Sequence, residues 1–157
     1  MKKQIAIFLQ VLVVIIGLGA GALLLWEPRI EGRNVHATLS ETYFGDPFLA
    51  FVYLGSIPFF VALYQVFKLI GYVGKNNSYS RKTIKSLRVV RCCALTIIGF
   101  VVAGEIYILL NHGDDDPAGG LFVGSLIALG AAIVALVSTF LERFFQKELE
   151  FDESEPL

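Results

Sequence analysis

The chain has 157 residues, 55% of them hydrophobic, with a mean hydropathy of +0.68 and a formal net charge of -1. With so many apolar residues gathered in unbroken runs rather than half-buried stripes, a soluble domain is excluded, and the length leaves no room for a second folded unit. The expectation is one all-α membrane domain over residues 1–157, a bundle of four transmembrane helices.

The four apolar runs are Ile5–Trp26, Pro47–Val73, Cys92–Leu110 and Ala118–Phe140. Each holds roughly 19 to 27 residues, enough to cross a hydrocarbon core of about 30 Å as a helix. Lys2 and Lys3 precede the first run, which resembles a leader in that respect. Its length exceeds a leader's apolar core, however, and Leu25-Trp26-Glu27-Pro28 offers no small-x-small cleavage site, so a retained helix is expected. Within it Gly17 and Gly21 form a GxxxG pair, and Gln10 is a polar group able to bond across helices.

The loop from Glu27 to Asp46 carries Glu27, Glu31, Glu41, Asp46 and His36. Asp46 before Pro47 reads as an N-cap followed by proline at the first helical position. Trp26, Tyr43 and Phe44 suit one interfacial belt, and Tyr64 and Tyr72 the other. Pro58 should loosen the second span, which also holds Gln65.

The middle segment is strongly basic. Lys68, Lys75, Arg81, Lys82, Lys85, Arg88 and Arg91 crowd it, joined on the same side by Lys2, Lys3, Arg143 and Lys147, while the other two loops hold only Arg29 and Arg33 of the thirteen basic residues. The positive-inside rule therefore puts both termini and the middle loop of this multi-pass chain in the cytoplasm. Asn76, Asn77 and Ser78 supply a turn, and Ser80 an N-cap. Beyond Ser80, Ile84 and Leu87 share one face, while Arg81, Lys85 and Arg88 make a cationic one. The spacing predicts a short cytoplasmic amphipathic helix running into the third span, with Ile84 and Leu87 toward the membrane and Arg81, Lys82, Lys85 and Arg88 meeting anionic lipid or an acidic partner. Residues 143–157 are predicted as an acidic, flexible cytoplasmic tail.

In the third span, Cys92 and Cys93 are adjacent and form neither a CxxC motif nor a zinc site. They read as buried thiols or as juxtamembrane acylation targets. Glu105 is the one charge well inside a span and so a functional candidate, although it lies near enough to the outer interface to reach water or to be protonated. His112 follows on much the same face, with Asp114, Asp115 and Asp116 beyond it. These four, helped by His36, Glu41 and Asp46, are weak candidates for a divalent cation. The plainer reading is a solvated acidic turn that caps the fourth span. That span opens with Gly120 and Gly124 and continues with Ser125, Ala128, Ala131, Ala132 and Ala135, a small-residue stripe suited to close packing within the chain or in a homo-oligomer.

The order of four spans, the basic segment Asn77–Arg88 with Tyr79-Ser80 at its start, and Asp115-Asp116-Pro117-Ala118-Gly119-Gly120 before the last span resemble the YoaS-like family of bacterial integral membrane proteins, a domain of unknown function. The carboxy end Glu148–Leu157 departs from that family's usual closing segment, so no role tied to it is carried over. The resemblance implies a small protein of the bacterial cytoplasmic membrane, often encoded beside a helix-turn-helix regulator, and no enzymatic activity is implied by it.

No Walker loop, HExxH, GxSxG or dinucleotide fingerprint is present, and no cofactor is expected. The cationic loop follows from topology rather than from direct nucleic-acid binding. Two functions remain open, with a membrane enzyme third: a membrane-embedded regulatory or scaffold protein acting on a cytoplasmic partner, and a small channel or transporter subunit using Glu105. Topology is directly testable. Single cysteines placed at Ser40 and Ser78 should label from opposite faces of the membrane, and labelling of both from one face would sink the arrangement.

Overall fold

The computed structural model describes residues 2–30, 38, 47–75, 80–111, 113 and 116–154. They form four helices: α1 (Lys2–Ile30), α2 (Pro47–Gly74), α3 (Arg81–Asn111) and α4 (Ala118–Ser154). All four are long and apolar enough to cross a membrane. The expected all-α, four-span architecture is present.

Two segments differ from the sequence reading. The basic stretch after Ser80, expected to run into the third span, is the beginning of α3 itself but turns its apolar face to protein rather than to lipid, and residues 143–154 continue α4 as helix rather than leaving it as a tail. The reason is local. Ser80 caps the start, its carbonyl accepting from the Ile84 N–H at 3.1 Å and its hydroxyl accepting from the Thr83 N–H at 3.2 Å. No Gly or Pro interrupts the next eighteen residues, and none lies between Ala131 and Ser154. Ile84 and Leu87, expected to face the membrane, are instead buried in the protein, Leu87 to 2% exposure. They join Thr83, Val90 and Ala94 in a row at three- and four-residue spacing that α3 buries between its neighbours.

The helices pack in chain order, α1 on α2, α2 on α3 and α3 on α4, and no other pair packs comparably among the described residues. Both GxxxG pairs lie against the adjacent helix of the same chain. Gly17 and Gly21 meet Leu63 and Phe60 of α2, while Gly120 and Gly124 meet Ile108 and Glu105 of α3. In lipid no hydrophobic gain drives two helices together, so close backbone approach supplies the attraction.

Polar groups complete the α1–α2 contact. Pro28 has no N–H, which leaves the Leu24 carbonyl without its helical partner, and the Tyr53 hydroxyl donates to that carbonyl at 2.9 Å. Gln10, read from the sequence as able to bond across helices, donates through Nε2 to the Phe67 carbonyl at 3.1 Å. Between α2 and α3 the contact is aromatic: Phe51 and Phe100 have ring centroids 5.1 Å apart, and Phe48 stacks on Tyr107 at 5.7 Å. Gly55 seats the Phe100 ring, since a Cβ there would stand 3.2 Å from it.

A paired substitution tests this packing. A Cβ at Gly74 would stand 2.6 Å from the Cβ of Ala6, whereas one at Gly99 would meet nothing within 4 Å. Gly74→Val should lower thermal stability in detergent by about 1–3 kcal/mol through overpacking, with Gly99→Ala neutral or slightly stabilising. Equal tolerance of both would show that α1 does not seat on α2 at this level.

Candidate functional site

Helix geometry locates the polar features relative to the apolar slab. Counting a hydrocarbon thickness of about 30 Å, or roughly 20 residues, from the Pro47, Leu110 and Ala118 ends brings the second boundary near Phe67, Arg91 and Ser138. Beyond it α3 continues for some three turns to Arg81, and α4 continues to Ser154. The two extensions stay paired.

What joins them is a carboxylate. Glu142 is 5% exposed, and Arg88 Nε donates to its Oε1 at 2.9 Å. Arg91 Nη1 stands 2.9 Å from the other oxygen, Oε2. The second contact is an ion pair without hydrogen-bond alignment, so Oε2 remains buried with no donor aimed at it. Two guanidinium groups thus share one carboxylate, and the cluster carries a net positive charge. Arg88 stays 55% exposed, so its remaining N–H groups are open to a further acceptor. One extension ends in an outer pair, Arg81 to Glu153 at 3.2 Å, whose exposure makes it a weak tie.

Glu142 is placed by the small-residue stripe of α4. Ala131, Ala135, Ser138 and Glu142 are buried at spacings of four, three and four, continuing the line of Gly124 and Ala128. Such a seven-residue period keeps one seam against a partner helix. The sequence reading ended the fourth span at Phe140 and began the tail at residue 143, leaving Glu142 unassigned between them. The available signal was the stripe itself, which carries the glutamate on the same face as the alanines.

The remaining candidates separate. Lys82 and Lys85 are exposed on the α3 extension, and among the described residues neither enters an ion pair. Glu105 lies toward the other end of α3, where its Oε1 fills the space left by the missing side chain of Gly124 and accepts from the Ser125 hydroxyl at 3.4 Å. It is not brought to the Arg88–Glu142 cluster. Of the acidic turn, His112, Asp114 and Asp115 lie outside the described residues, as do His36, Glu41 and Asp46. Asp116 Oδ1 accepts from the Ala118 N–H at 3.0 Å and so helps start α4. No group of three potential metal ligands occurs among the described residues. Of the two cysteines, Cys93 is buried and Cys92 exposed.

Residues 34–155 match the model of a family described as a protein of unknown function, DUF2975. The chain belongs to that DUF2975 family. It is also 27% identical to the uncharacterized membrane protein YoaS of Bacillus subtilis (strain 168), in an alignment covering 100% of this chain and 99% of that relative. No solved structure matches. The membrane character of this DUF2975 chain thus agrees with that of a full-length relative, and the family description assigns no activity.

The carboxylate at the centre of the cluster gives a direct stability test. Glu142→Gln keeps the size but leaves Arg88 and Arg91 facing each other without a counter-charge. It should cost about 1–3 kcal/mol, below the range for a fully buried pair because both arginines retain solvent contact. Thermal unfolding in detergent at low and high salt measures it. A change within error at both would make the cluster a surface decoration.

Proposed function

We propose that the chain is a non-enzymatic membrane scaffold whose basic α3–α4 extensions dock a cytoplasmic regulatory partner. The observation that carries this reading is the joining of the two extensions by Arg88, Arg91 and Glu142 while Lys82 and Lys85 stay exposed. A charge displayed on a fixed helix face recognises a partner at lower entropic cost than the same charge on a flexible loop. The distribution of basic residues supports a cytoplasmic position for both termini and these extensions. The occupant of the lysine face is a protein with an acidic surface, and the family resemblance makes a helix-turn-helix regulator the first to try.

Glu105 has the competing role, in a small channel or transporter subunit. Its seat over Gly124 and its Ser125 contact support a part in helix packing instead. One experiment separates these assignments. Lys82→Gln/Lys85→Gln in the full chain should cut co-purification or in-cell crosslinking of the partner about fivefold to tenfold, as expected for losing two surface cations, without changing thermal stability. Glu105→Gln should leave recruitment intact. Unchanged recruitment by the lysine variant, together with loss of cation or proton flux in Glu105→Gln liposomes, would replace the scaffold by a conduction role.

A further inference from the structure

Where α3 meets α2 there is an open groove of about 420 Å³ lined by Ile57, Pro58 and Val61 of α2 and by Val89, Cys92 and Thr96 of α3, with Cys93 beneath and Arg88 at its polar end. We propose that this groove is a binding site for one anionic phospholipid of the leaflet at the basic ends, with an acyl chain along the apolar wall and the headgroup phosphate on Arg88.

Three observations converge on that occupant. The first is depth. From Arg88 to Thr96 is eight residues, a rise of roughly 12 Å. The groove therefore runs from the estimated headgroup boundary well into one leaflet, a geometry that suits a chain attached to a phosphate. A free anion would use only the end. The second is lining. Apart from Arg88, its walls are apolar side chains, thiols and the Thr96 hydroxyl, and that hydroxyl is already turned back to donate to the Cys92 carbonyl at 2.9 Å. Pro58 contributes a ring and no N–H, so the wall it forms offers no donor.

The third observation is charge. Arg88 commits only Nε to Glu142, at 2.9 Å, and its guanidinium is more than half exposed. Arg91 supplies a second positive charge to the same carboxylate, so the cluster as a whole attracts an anion. Lys85, three residues before Arg88, lies one turn further out on the same face and is exposed. A zwitterionic headgroup would bring its own cation into this positive field, whereas an anionic one would not.

The test uses the full chain in nanodiscs containing equal phosphatidylglycerol and phosphatidylcholine, followed by native mass spectrometry of the lipid retained. Phosphatidylglycerol should be enriched about tenfold over phosphatidylcholine, the size expected for one or two cations at a headgroup. Thr96→Phe, which fills the groove without touching the charges, should lose the retained lipid of both types. Arg88→Gln, which removes the headgroup contact and leaves Glu142 its pair with Arg91, should lose the preference while keeping some lipid. Equal retention of the two lipids, or full retention in Thr96→Phe, overturns the assignment. Displacement of phosphatidylglycerol by millimolar inorganic phosphate would also overturn it, showing an anion site with no role for the chain. So would a benzophenone placed on Cys92 of the Cys93→Ala chain that crosslinks, in native membranes, to a protein helix and not to lipid.

Discussion

Two helices in a bilayer gain nothing hydrophobically by touching, because lipid is as apolar as their side chains. The α3–α4 seam answers that constraint in two ways along its length. Within the span, Gly120, Gly124, Ala131 and Ala135 let the backbones approach, and Ile108 and Glu105 fill the room the glycines leave. Past the boundary, where water and salt would weaken an exposed contact, Ser138 and Glu142 are buried and Glu142 draws Arg88 and Arg91 onto the seam. Remove the small residues and the charges could not meet at 2.9 Å. Without the charges, the two extensions would have only the exposed Arg81–Glu153 pair among the described ion pairs to hold them.

That arrangement explains why so much of the fold was legible in the sequence and why its most informative residue was not. Span number and approximate limits follow from apolar run length, a constraint the bilayer imposes whatever the packing. Ser80 was legible because a cap acts within four residues, and Gly17, Gly21, Gly120 and Gly124 because close approach needs glycine at fixed spacing. Glu142 was hidden by the same hydropathy that revealed the spans: the apolar run ends at Phe140, and a following Glu-Arg pair reads as the start of solvent. Arg88 and Arg91 were masked in another way. A basic loop is fully accounted for by topology, so nothing in its composition separates cations that orient the chain from cations that bind a buried carboxylate.

The continuity of α3 has the same origin. An amphipathic stretch with Ile84 and Leu87 on one face fits equally a helix lying on lipid and a helix covered by neighbouring helices. Length decides between them, and the deciding length lies on α4: only because α4 reaches Ser154 is there a surface beside Arg81 to cover that face.

Chain-order packing gives α3 two neighbours, α2 on one side and α4 on the other. Its two contacts differ in kind. Toward α2 they are the rings Phe51, Phe100, Phe48 and Tyr107, concentrated in the half of the span away from the basic end. Toward α4 the strongest tie, the arginine–glutamate cluster, lies at the opposite end. Ring stacks tolerate small rotations because dispersion has no fixed direction, whereas two arginines on one carboxylate tolerate little. The α2 contact is therefore the less directional of the two, and it is there that Pro58 interrupts the ladder and the groove opens. The proposed lipid site lies along that border, on the same helix that carries Lys82 and Lys85.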